Sequence, residues 1–487
     1  MHARLLLFFL PLAALLSGCG ARDDGSIPIA IIDNADEPFA RSGSGRAAAA
    51  WDDATDEGLV AFDAYGRVIP ALADRWIVTD DGTSYIFRLR DGNWPDGTAI
   101  DAESARRALS DAIRRQRGSP LGADLGRISE VRAMAGRVLE VRLNQPVPDL
   151  LVTLARPELG LLHEGRGAGP MRGSIAGRTG TLSPLNPEAR GLPAEIGWEA
   201  RARDIELTAM SATEAVQAFA DGEVRVVLGG TIADFLLTDR TGLSRGALRV
   251  DDVDGLFGLA FVHRGGFLAS AENRAALAMA VDRQALMEPF GIGNWEARLG
   301  MLPREGPTGR LLPLAQWRDM SLVQRRSTAS ARVAQWRSAH GDIAPIRIAL
   351  PSGPGGARLF ESLARDFAAI GLQTERVGFG APADLVLLDQ VAPSSDVEWY
   401  LNRFRCGLAR RICIEEVDGL LREARRENPR AARAVLIDEA AALVEAQQIF
   451  ISFGQPVRWS LVGGGIDGFQ TNALGVHPLM EIAMQPR

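Results

Sequence analysis

The stretch from Glu57 to Ile113 constrains the fold more than any other part of the chain. Trp76 to Thr79 and Ser84 to Arg90 flank Asp80-Asp81-Gly82-Thr83, a turn signal that joins two strands into a hairpin. Tyr85, Phe87 and Leu89 alternate with Arg88 and Arg90, the pattern of a half-buried strand. Asp101 is a good N-cap, and Glu103 suits the first helical turn. Ala105, Leu109, Ala112 and Ile113 then share one face until Gly118-Ser119-Pro120 stops the helix. A hairpin feeding a capped helix has no catalytic group in view.

At 487 residues the chain is too long for one ordinary core, so two or three domains are expected. Its 46% hydrophobic and 24% charged residues are ordinary for a globular protein. A net charge of -7 with no dominant basic stripe argues against a nucleic-acid partner. The sequence has no lysine, so all 54 basic residues are arginine. A P-loop lysine, a Schiff-base lysine and a Ser-x-x-Lys pair are thereby excluded.

Arg4 and the apolar run Leu5 to Leu16 read as a targeting segment, short for a membrane span of about 20 residues. Leu16-Ser17-Gly18-Cys19 resembles a bacterial lipobox. Residues 1–18 are then a signal peptide, and lipidated Cys19 anchors the mature chain to the cell membrane or the outer membrane. Six residues separate Cys406 from Cys413, and a disulfide is expected in an oxidising compartment. His2, His163, His263, His340 and His477 are scattered, with no His-Glu-x-x-His or Cys-x-x-Cys. Neither a metal nor a cofactor is expected.

Ile27 to Ile32 reads as a buried first strand. Residues 165–197, rich in Gly, Pro, Arg and Ser, read as a loop or crossing segment between domains. Asp204 to Leu207, Thr213 to Ala220 and Val224 to Leu228 form a strand–helix–strand unit of a parallel α/β lobe. Glu272 to Met287 reads as one amphipathic helix. A second strand–turn–helix begins at Ile346 and includes Gly353-Pro354-Gly355-Gly356. That turn lacks the third glycine and the Lys-Ser or Lys-Thr of a phosphate loop, so it reads as a plain βα turn. Val417 to Arg425 and Ala431 to Gln448 read as helices, and Ile449 to Phe453, Val457 to Val462 and Leu479 to Ala483 as closing strands.

No Gly-x-Ser-x-Gly elbow occurs. Asp52, Asp53, Asp56 and Glu57 cluster as a glycosidase pair would, but read better as a solvated acidic helix end. Trp399, Tyr400 and Phe404 lie close together beside Asp396 and Arg403, and Trp295 sits in a Gly-rich loop near Arg298. Ligand clefts combine apolar walls with a few placed polar groups, so Trp295, Asp396, Trp399, Tyr400 and Arg403 are the candidate ligand-binding residues.

Several segments, in order, resemble the bacterial extracellular solute-binding proteins of family 5. These are Glu57-Gly58-Leu59-Val60, Val68 to Ala73 with Trp76, Asp80 to Arg90, Trp94-Pro95-Asp96-Gly97-Thr98 with Asp101-Ala102-Glu103, and Asn273 to Leu286. Gly222-Glu223-Val224 and Val417 to Leu421 are similar too. The resemblance implies an α/β, two-lobed periplasmic binding protein with an extra small domain and an interlobe ligand cleft. Residues 19–45, 165–254 and 462–487 then form lobe I, 46–164 the small α+β domain, and 255–461 lobe II. It also implies a peptide or other small solute as ligand, an ABC permease and ATPase as partners, a monomer, and no enzymatic activity. Peptide binders of the family commonly carry Trp-x-x-Asp where this chain has Gln390 and Pro393. A ligand with a free amino terminus is therefore less expected than in the family at large. Two rival readings are an envelope scaffold or sensor lipoprotein of the same fold that has lost transport, and a periplasmic hydrolase.

Overall fold

The computed structural model describes residues 25–41, 45–147, 149–239, 243–244, 246–262, 265–408, 411–427 and 429–485. The signal segment, Cys19 and His263 lie outside the described residues. No described helix is long and apolar enough to cross a membrane.

Two open sheets carry the architecture. The larger has seven strands in the order Met171–Ala176, Thr179–Pro184, Ile205–Met210, Ile27–Ile32, Val226–Thr231, Arg458–Val462, Leu248–Asp251. Ile27–Ile32 runs parallel to both of its neighbours, and the helix Ala212–Ala220 makes the crossover between them. That helix starts at a capping box, Ser211 with Glu214, as its Ser-x-x-Glu spacing dictates. Ile27–Ile32 is apolar on both faces because both are covered. Ile29 and Ile31 pack with Trp51 and Leu207, and Ala30 and Ile32 with Ala215 and Val216.

The smaller main sheet has five strands in the order Thr374–Val377, Ile346–Ala349, Leu385–Val391, Gly255–Phe261, Phe450–Gly454. Its first three strands are parallel, with the helix Pro354–Ala368 crossing between Ile346–Ala349 and Thr374–Val377. The chain passes between the two sheets at two neighbouring places. Leu248–Asp251 leads into Gly255–Phe261 through residues 252–254, and Phe450–Gly454 into Arg458–Val462 through residues 455–457. Two short, paired connections between two sheets are the construction of a hinge.

A third unit has its own core. Ala73–Val78, Ser84–Leu89, Val138–Leu143 and Ile128–Ala133 form a four-stranded antiparallel sheet, with Ala102–Arg115 packed on it through Ala105, Leu109 and Ala112. Asp101 caps this helix as its sequence predicts, and its reciprocal partner is Ser104 rather than Glu103. Trp94 buries its ring here and donates from Nε1 to Ser104 Oγ at 3.1 Å.

Four segments differ from the sequence reading. Residues 165–197 are not a plain crossing segment, because Met171–Ala176 and Thr179–Pro184 form a hairpin on the edge of the larger sheet. Its glycines are there for packing: a Cβ at Gly173 or Gly180 would lie 2.3 or 2.4 Å from the Trp51 ring. Trp51 belongs to the helix Arg46–Thr55, which therefore packs on the larger sheet. The stretch Glu272 to Met287 is two helices, Ala271–Ala280 and Arg283–Met287, because Asp282 leaves helical geometry to cap the second. Residues around Leu479 to Ala483 form a helical turn, Leu479–Ile482, not a strand. The longest helix, Leu322–His340, buries only Ala329 and Val333 and so shows no apolar stripe in the sequence.

Candidate functional site: the seam between the sheets

The ends of several strands converge beside the hinge. Asp33 follows Ile27–Ile32, Asp234 follows Val226–Thr231, Asp389 stands near the end of Leu385–Val391, and Arg458 opens Arg458–Val462. Arg458 Nη1 donates to Asp389 Oδ1 at 2.7 Å, joining one sheet to the other. Arg46, at the start of its helix, donates to the Ile32 carbonyl at 3.2 Å. Burial pulls the Arg46 pKa down, as does Arg458, while Asp389, Asp234 and Asp33 hold it up. Burial raises the Asp234 carboxyl, with Arg46 opposing. The Asp33 carboxylate accepts from the backbone N–H of Ala35 and of Ala47, at 2.9 and 3.0 Å. The seam is thus lined by two arginines and three aspartates of nearly balanced charge.

The opposite wall explains Gly353-Pro354-Gly355-Gly356. The segment is the plain βα turn expected, before the helix Pro354–Ala368. Gly353 adopts φ 104°, and its Cβ would lie 2.7 Å from the Ala233 carbonyl. A Cβ at Gly355 would lie 1.9 Å from the Ile232 carbonyl, and Gly355 N–H donates to Ala233 O at 2.7 Å. Glycine lets the two backbones touch here.

The five candidate residues fall into two places. Trp295 is half-buried against the hinge; its Nε1 donates to Gln455 O at 2.8 Å, and its ring occupies the space a Cβ on Gly454 would need. Arg298, nearby, pairs with Asp254 in the other connection. Tyr400 is buried, and its phenol is raised by that burial and by the charge of Asp254.

Asp396 and Arg403 turn instead towards the small domain, with Trp399 packed beside Arg403. Asp396 caps the helix Val397–Asn402 by accepting from Glu398 N–H, and pairs with Arg127. Trp399 is buried, with its ring edge-on to Tyr400 at 4.9 Å and the Arg403 guanidinium 4.1 Å from its ring centroid. Arg403 is paired with Asp124 at 2.8 Å, which also accepts from Asn402 Nδ2 at 2.9 Å. Sequence reasoning missed Arg46, Asp234 and Arg458. Arg46 opens a helix, Arg458 opens a strand and Asp234 follows a strand by three residues, and such element ends were the available signal.

The Asp52–Glu57 cluster is not the solvated helix end expected. Asp56 is buried against Arg41, and Glu57 lies between Arg90 and Arg190. Burial raises Asp52 and Asp53 to about 7 each, with Asp56 adding to the first and Glu158 to the second. Cys406 and Cys413 are bonded, with Cα atoms 5.1 Å apart. Asp96, His163 and Glu164 bring one ligand atom each within 4.8 Å of one another. Asp96 already accepts from Thr98 and His163 stacks on Trp94, which accounts for the group as turn packing.

Two lobes, a two-connection hinge and a polar seam define a two-lobed periplasmic binding protein fold. Residues 67–181 match the family model "Bacterial extracellular solute-binding proteins, family 5 Middle", the family that the sequence motifs resemble. The "Probable deoxycholate-binding periplasmic protein YgiS" of Escherichia coli (strain K12) is 36% identical over 121 residues, 21% of this chain and 23% of that protein. The "Nickel-binding periplasmic protein" of the same organism is 34% identical over 105 residues, 21% of this chain and 20% of that protein. The chain thus aligns with about a fifth of the length of these curated relatives. Among solved structures, Haemophilus influenzae OppA in complex with RPPGFSPFR is similar with a TM-score of 0.77 at 15% identity, covering 95% of this chain and 99% of that one. NikZ from Campylobacter jejuni in complex with Ni(L-His) has a TM-score of 0.71 at 17% identity, covering 95% and 99%. At such identities the likeness concerns the fold.

Proposed function

We propose that the chain is an extracytoplasmic solute-binding lipoprotein. It captures a small polar solute, peptide-like or otherwise, and delivers it to an ABC permease and its ATPase. The observation that carries this reading is the hinge: two sheets joined by residues 252–254 and 455–457, with charged strand ends facing one another across the seam. Closure over a guest excludes water and strengthens each polar contact made there. In this reading Arg46, Asp234, Asp389 and Arg458 orient the guest, with Trp295 and Tyr400 beside the hinge. Asp396, Trp399 and Arg403 hold the small domain against lobe II. The mature chain is a monomer, tethered through Cys19 in the periplasm, and performs no chemistry.

The names of the similar proteins include peptide, nickel and deoxycholate ligands, so the ligand class is argued from residues. Asp389 and Asp396 are the nearest carboxylates to the segment that anchors a peptide amine in the family, and both are already paired with arginine. A guest without a free α-amine fits that arrangement better. Native mass spectrometry of protein purified from its own cells tests the reading. A co-purifying small molecule that stabilises the protein supports it; turnover of that molecule by the protein contradicts it.

A further inference from the structure

A second enclosed space lies away from the seam. A cavity of about 190 Å³ sits between the helix Arg46–Thr55, the hairpin Val60–Phe62/Val68–Pro70 and the C-terminal turn Leu479–Ile482. No residue from 255–461 lines it, so it is separate from the surfaces of lobe II. Phe62, Ile69, Pro70, Met480 and Met484 are among the residues of its apolar wall. Methionine walls adapt to guests of irregular shape.

The charges on this wall are unequal in their partners. Arg156 is paired with Glu158 at 2.7 Å and Arg190 with Glu57 at 3.0 Å, while Asp56 is paired with Arg41. Asp53 and Glu481 also line the cavity, and neither carboxyl has a hydrogen-bond or ion-pair partner among the described residues. Both cations on the wall are therefore ion-paired, although Arg190 Nε keeps no hydrogen-bond partner, while the Asp53 and Glu481 carboxyls have no cation. Desolvation raises both, and so does the negative charge of Glu158 for Asp53 and of Asp63 for Glu481. An anion entering here meets only cations that already have a carboxylate partner. A neutral apolar guest leaves both carboxyls as they are. A cation supplies the missing partner, and an ammonium on a short apolar body also matches the walls.

We propose that this cavity is a second ligand site, selective for a small organic ammonium whose charge is held by Asp53 and Glu481. The site stands apart from the proposed interlobe solute and does not depend on it. Binding is linked to pH in a definite direction. The guest favours ionised carboxylates, so its affinity rises as pH increases from 5.5 to 8.

Calorimetry with benzylammonium, benzyl alcohol and benzoate tests the assignment on the full mature chain. Benzylammonium binds the native protein about tenfold or more tightly than the alcohol does, and Asp53→Asn/Glu481→Gln removes that preference. Equal binding of alcohol and ammonium, or an unchanged preference in the double variant, overturns the proposal. Circular dichroism checks that the variant folds. If it does not, crystals of the native chain soaked with 4-bromobenzylammonium decide. Bromine anomalous density between Asp53 and Glu481 supports the site, and density only elsewhere overturns it.

Discussion

Arg127 of the small domain lies 2.9 Å from Asp396 and 2.8 Å from Glu398, both on the second lobe. Arg127 and Glu398 are nearly inaccessible to solvent, and Gln145 adds a donor to Glu398 at 3.4 Å. With Arg403–Asp124 alongside, this makes a charged clasp between two units that have separate sheets.

Removing one partner of that clasp leaves a buried charge behind. Arg127→Leu is expected to destabilise the protein by about 3–5 kcal/mol, because Glu398 remains without its cation. Arg127→Leu/Glu398→Leu recovers most of that loss. Urea unfolding midpoints of the two variants check the order.

Gly355 tests the contact between the seam walls. A Cβ there collides with the Ile232 carbonyl. Gly355→Ala is expected to cost about 1–3 kcal/mol in the closed arrangement, as overpacking does. Small-angle scattering of the variant would show a larger radius of gyration with secondary structure unchanged by circular dichroism.

The raised carboxyls fix a pH dependence. Asp52 and Asp53 sit near 7 in the folded chain and near the ordinary carboxylate value when unfolded. The folded state therefore holds more protons than the unfolded state between those values. This contribution to stability is fully present below about pH 4 and is lost as pH rises through about 7. Asp53→Asn flattens that slope, and chemical unfolding measured from pH 5 to 8 shows whether it does.

Cys406 and Cys413 close a short loop, with a sequence separation of 7. Chain-entropy arguments assign such a closure about 2–3 kcal/mol. Cys406→Ser/Cys413→Ser is expected to lower Tm accordingly, with dithiothreitol reproducing the shift in the native chain and leaving the variant unchanged.

Much of the fold was legible because its elements carry local signals. Asp101 and Asp80-Asp81-Gly82-Thr83 mark an end and a turn that the structure keeps. The hairpin at 171–184 escaped notice because its glycines serve Trp51, which lies more than a hundred residues away in sequence. Helix Leu322–His340 escaped because little of it is buried. The site was less legible for a similar reason. Arg46, Asp234 and Arg458 look like ordinary surface charges until the strand ends bring them together. Conversely, the aromatic cluster Trp399–Tyr400 drew attention by composition, and its residues are buried.

Closure on a guest is the central claim. Small-angle scattering of the purified mature chain, with its co-purified small molecule retained and then removed by partial unfolding and refolding, measures it directly. The account predicts a more compact particle with the molecule bound and a more open one without it, reversed on adding the molecule back. Identical scattering profiles in both states, with the molecule shown to bind, would contradict it.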